Sequence, residues 1–155
     1  MEWTQPIILR RTTHSQSVIE TPKEGAYITS AGMMMHRFAN TEAYQTLQIE
    51  DYHAERTDPI QVQLSVNKDG TALVLNLLNR TEEDGEVEID LTAFAVADGE
   101  ARGILLAADS LLSMNTLHDQ QVAESPDAVI VKGGVIKATV KRLSFGEYVI
   151  PVRQK

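Results

Sequence analysis

The spacing of apolar residues changes near residue 41, and that change limits what this chain can fold into more than any other feature. Upstream of it, Tyr27, Ala31, Met34 and Phe38 fall at i, i+4, i+7 and i+11, the stripe of an amphipathic helix. Downstream the period becomes two. Leu47 and Ile49 alternate with Gln48 and Glu50, and Ile60, Val62, Leu64 and Val66 alternate with Gln61, Gln63, Ser65 and Asn67. Such alternation marks strands with one wet face. Thr71 to Asn79 ("TALVLNLLN") is more continuously apolar and reads as a more deeply buried strand, after which Val87, Ile89 and Leu91 resume the alternation. "GILLAA", "AVIVK", "VIKATVK" and "EYVIPV" supply further strands, with Asp69-Gly70 and Gly133-Gly134 as turn signals.

Thr21-Pro22-Lys23-Glu24 has the form of a capping box, with Pro22 at the first helical position. The spacing therefore predicts a helix over about Pro22 to Ala39, stopped at Asn40. Gly32 inside it costs roughly 1 kcal/mol relative to alanine. The expected fold is mainly all-β: an antiparallel β-sandwich, with a barrel as the related closure, carrying one N-terminal helix. Residues 1–155 are expected to form one domain, 1–40 as an extended segment and helix and 41–155 as the sandwich.

Composition removes several function classes. With 43% hydrophobic residues the chain is neither a disordered tail nor a membrane protein, and its apolar runs are too short to span a bilayer. Net charge is −8, from 22 acidic and 14 basic residues, which argues against nucleic acid as a partner. No cysteine is present, so disulfides, thiolate metal sites and a cysteine nucleophile are excluded. That composition fits a reducing compartment, so the cytoplasm is favoured while localisation stays open.

Candidate sites are few. In "NLLNRTEEDGEVEIDL" (Asn76 to Leu91) the carboxylates Glu82, Glu83 and Asp84 sit between apolar stretches, and they are expected to form a solvated hairpin tip. Calcium is the lesser alternative, because a calcium loop spaces its ligands at alternating positions. His14, His36, His53 and His118 are too scattered for a zinc motif, and Met33 to Met35 read as core filler. Asn79-Arg80-Thr81 matches a glycosylation sequon. Glycosidase chemistry needs two carboxyl groups about 5–10 Å apart, one of them with a raised pKa, and the acidic residues here fall on polar strand faces and turns. No catalytic residue, no metal ligand and no cofactor site is assigned, and substrate-binding residues stay open. A sugar-binding module is the alternative, weakened by a total of eight aromatics and a single tryptophan, Trp3, at the start of the chain.

The order of segments brings in a resemblance. "QPIILR", "TPKEGAYITSAGMMMHRF", "LVLNLLNR" with its following strand, "ADSLLSMNTLHDQQVAESPDAVIV" and a last pair of strands together resemble the C-terminal part of α-L-arabinofuranosidases of glycoside hydrolase family fifty-one. Gln5 to Leu9 is similar to that family's exit from its (β/α)8 barrel and Thr21-Pro22 to its helix opening. Asn79-Arg80, Asn115-Thr116 and Pro126 to Val129 are similar to motifs of its β-sandwich. The chain departs from the family at Glu24-Gly25-Ala26 and at Leu143-Ser144-Phe145-Gly146. The resemblance implies a non-catalytic accessory domain that packs on a barrel carrying the catalytic glutamates. The face around Tyr27, Met34 and Phe38 would then dock on that barrel, with self-association expected in its absence.

Overall fold

The computed structural model describes residues 10–11, 18–50, 52 and 58–153. Trp3, His14, His53 and the 5–9 segment lie outside the described residues. The chain divides into two compact units, Met1–Thr41 with Leu112–Ala123 and Glu42–Leu111 with Glu124–Lys155.

In the first unit β1 (Arg10–Arg11) runs parallel to β2 (Ile19–Glu20), and β2 runs antiparallel to β3 (Tyr27–Ile28). Helix α1 covers Ser30–Asn40 and so starts later than Pro22. The cause is local competition. Gly25 N–H donates to the Pro22 carbonyl at 3.2 Å, turning the chain so that Glu20 pairs with Tyr27 and Ile19 with Ile28. Those ladder bonds, with the Tyr27 hydroxyl donating to Glu20 Oε2 at 2.5 Å, outweigh a cap contributing about 1 kcal/mol. Thr21 Oγ1 is left buried without a hydrogen-bond partner, and capping falls to Thr29, whose Oγ1 accepts from Gly32 N–H at 3.0 Å. Tyr27 therefore belongs to β3, not to the helix.

Gly32 has a steric reason to be glycine. A Cβ there would lie 2.1 Å from the Val18 carbonyl oxygen, the acceptor that Thr29 N–H reaches at 3.1 Å. Helix and strand approach closely at this point, and the propensity cost of glycine is the condition for that contact.

The second unit is an eight-stranded antiparallel sheet in the order β4-β5-β6-β11-β8-β9-β10-β7. Its strands are β4 (Ala43–Thr46), β5 (Ile60–Asn67), β6 (Ala72–Asn79), β7 (Gly85–Asp90), β8 (Gly99–Ala107), β9 (Ala123–Lys132), β10 (Val135–Val140) and β11 (Ser144–Pro151). Leu73, Leu75 and Leu77 of β6 share one apolar cluster with Ile89 of β7 and Ile136 of β10. These strands stand far apart in the sheet order, so the sheet curls to bring both of its ends over a common core. With the small three-stranded sheet and α1, this is the mainly all-β, sandwich-like class read from the alternation.

Two turns follow from the sequence. Gly133 (φ 60°) and Gly134 (φ 76°) join β9 to β10, and positive φ at both positions is what a two-residue type I′ hairpin needs. Asp69-Gly70 does lie between β5 and β6, in a four-residue connection that Asn67 closes by accepting from Thr71 and Ala72 N–H at 2.9 and 3.1 Å.

The acidic stretch is not a hairpin tip. Both edges of β6 are taken, by β5 and by β11, so the chain must leave it and cross to the far edge, where β7 pairs with β10. β6 and β11 are also buried on both faces. Val74, Asn76, Phe145 and Glu147 are enclosed opposite the leucine cluster, which explains why "TALVLNLLN" loses strict alternation.

Candidate functional site

The acidic crossover between β6 and β7 is built for structure. Glu82, Glu83 and Asp84 are exposed. Asp84 accepts from Arg142 N–H at 2.9 Å and from Lys141 Nζ at 3.0 Å, fastening the crossover to the β10–β11 turn. The Arg142 backbone bond, then the Lys141 contact, hold this carboxyl below its ordinary value. No group of three or more His, Asp or Glu able to hold a metal occurs among the described residues. His36 and His118 are exposed and far apart in sequence, with Asn40 Nδ2 at 3.3 Å from His36 Nδ1.

Two asparagines act as clamps. Asn79 is 1% exposed; its Nδ2 donates to the Glu83 and Val140 carbonyls at 2.8 and 3.1 Å, and its Oδ1 accepts from Thr81 N–H and Oγ1 at 2.9 and 2.8 Å. Every polar atom of the carboxamide is engaged, so the folded chain offers no amide for a glycan. Asn115 is similarly buried in the first unit. It accepts from Val122 N–H at 2.8 Å, donates to the Val122 carbonyl at 2.9 Å and reaches Met33 Sδ at 3.3 Å. Periodicity gave neither residue a role; the segment resemblance alone marked both positions.

One acidic residue breaks the expectation that carboxylates sit on wet faces. Glu147, on β11, is 4% exposed. Its register neighbours are Asn76 on β6 and Ile104 on β8, so neither flanking strand places a second carboxyl beside it. The adjacent Tyr148 points to the other face and donates to Asp127 Oδ2 at 2.7 Å; burial, then this carboxylate, pushes the phenol up. Asp127 is thus engaged with a phenol, and no two-carboxylate acid–base pair is assembled around Glu147 by the sheet register.

The helix presents apolar surface instead of chemistry. Met33 is buried and Met34 half-buried, but Met35 and Phe38 are 46% and 54% exposed. Reading all three methionines as core filler holds for Met33 alone without reserve. In the second unit, an open groove of about 930 Å³ lies between β5 and β7, walled by Ile60 and Val62 on one side and Val87 and Ile89 on the other. Its polar rim includes Glu50, Asp58, Glu86, Glu88 and Asp90. Asp90 accepts from the Thr92 hydroxyl at 2.6 Å and from Thr92 N–H at 2.8 Å, and these bonds lower its pKa.

Comparison with solved structures gives this architecture a setting. An arabinose-bound GH51 α-L-arabinofuranosidase superposes with TM-score 0.76 at 10% identity, over 90% of this chain and 22% of that one. The α-L-arabinofuranosidase from Thermotoga maritima gives TM-score 0.70 at 17% identity, over 88% of this chain and 32% of that one. The fold is that of a domain within family 51 arabinofuranosidases. The chain spans less than a third of the length of either enzyme. The catalytic domain of xylanase C from Talaromyces cellulolyticus, a GH30 enzyme, matches more loosely, with TM-score 0.54 at 15% identity over 87% of this chain and 27% of that one. No protein-family model and no curated protein sequence matches the chain.

Proposed function

We propose that this chain is the accessory β-sandwich portion of an α-L-arabinofuranosidase-like glycoside hydrolase, non-catalytic by itself and packed in the whole enzyme against a (β/α)8 barrel. The asymmetry of coverage carries the reading. Six arabinofuranosidases match over 86–90% of this chain, yet over 22–32% of their own lengths. The exposed Met35 and Phe38 support it, since large apolar side chains facing solvent on one helix suit a docking surface. Without the barrel this face drives self-association. Sedimentation of the purified chain should show an oligomer that dissociates when Met35 and Phe38 are both changed to serine. A strict monomer before the change would count against the helix as the docking face.

A sugar-binding module is the second reading, and one observation favours it: Tyr44 on the edge strand β4 is 69% exposed, the posture of a ring that stacks on a sugar. Arabinan retention on an affinity gel, lost on Tyr44→Ala, is what that reading requires.

A further inference from the structure

We propose that the outer edge of β7 and the groove beside it receive an extended cationic peptide, which adds to the sheet as one more strand. The proposal goes beyond the accessory role and does not depend on it. β7 is the last strand of the sheet: β10 occupies one side of it, and among the described residues no strand occupies the other. Backbone groups on such an edge are a template for pairing.

The opposite wall of the groove does not compete. There the β5 edge is already closed, because the Tyr52 hydroxyl accepts from Val62 N–H at 3.0 Å and Leu47 N–H donates to the Leu64 carbonyl at 2.8 Å. An entering strand therefore finds apolar contacts on the β5 side and, on the β7 side, an edge that no strand among the described residues pairs with.

Charge selects the occupant. The charged side chains among the described lining residues are five carboxylates, with no lysine, arginine or histidine. A second copy of this chain paired through the same edge would set Glu86, Glu88 and Asp90 against their own duplicates, which is destabilising. A segment alternating apolar residues with lysine or arginine meets both surfaces at once. The strand on the other side of β7 already uses that pattern: Lys137 of β10 stands opposite Glu88 with Nζ 2.9 Å from Oε2, and Ala138 stands opposite Val87. The acidic edge thus disfavours an acidic strand and favours a cationic one, attraction and exclusion coming from the same side chains.

The test uses the full chain and a synthetic capped peptide, Val-Lys-Val-Lys-Val-Lys-Val, by calorimetry and by amide hydrogen exchange. Two control peptides replace lysine by glutamate, or the central lysine by proline to remove an N–H donor. The lysine peptide should bind at least about tenfold more tightly than either control, weaken with salt, and slow exchange at Glu86 to Asp90. Glu86→Gln with Glu88→Gln, both on an exposed face, should weaken binding by about tenfold. Equal binding of the lysine and glutamate peptides, no binding at all, or protection appearing away from β7 would each overturn the proposal. The peptide controls and the exchange map read it out even if the double variant fails to fold.

Discussion

The Asn79 carboxamide spends both donors and its acceptor oxygen on four partners, three of them backbone groups. Asn79→Ala strands the buried members of that set, so it should lower unfolding free energy by about 2–4 kcal/mol in urea, with an unchanged slope. Asp84 is a different case because it is exposed. Its folded-state pKa lies below the ordinary 3.8, so its contribution is complete above that value and is lost as pH falls through the lower one. Asp84→Asn should therefore lower the melting temperature at neutral pH, and the gap to the parent chain should close in strong acid. A pH-independent gap would mean that the Lys141 and Arg142 contacts hold the crossover without the charge. Both side chains sit in a stretch that reads as a solvated tip, and nothing in the local pattern separates a clamp from a surface polar residue. Glu147 escaped for the same reason: alternation assigns faces, but it does not say which faces are covered.

Elements were legible where the signal is local and lost where the partner is distant in sequence. Alternation located β5 and β7, and Gly133-Gly134 located the β9–β10 hairpin, because each depends on neighbouring residues alone. The start of α1 was misread because the cap signal at Thr21 competes with β2–β3 pairing, a tertiary choice invisible in a four-residue motif. The hairpin expected around Glu82 to Asp84 failed because β11, far along the chain, takes the edge of β6 that β7 would need. The same central position makes β6 the element on which stability rests. Leu75 is fully buried between Leu64 and Tyr148 across the ladder, so Leu75→Ala should cost about 3–5 kcal/mol, whereas Phe38→Ser on the exposed helix face should cost far less. Comparable losses at the two positions would contradict the division between the buried core and the exposed helix face.

At the scale of the whole molecule, a curled β-sheet and a smaller unit with a short helix share the fold of a domain within family 51 arabinofuranosidases, and the sheet register sets no second carboxyl beside Glu147. The buried carboxamides of Asn79 and Asn115 hold their own loops, and α1 leaves Met35 and Phe38 exposed. The proposed function assigns catalysis to a barrel outside this chain. The most direct measurement is turnover of an aryl α-L-arabinofuranoside by the purified chain, alongside its Glu147→Gln variant. The account predicts no hydrolysis above buffer for either. Turnover by the parent chain that disappears in the Glu147→Gln variant would contradict it.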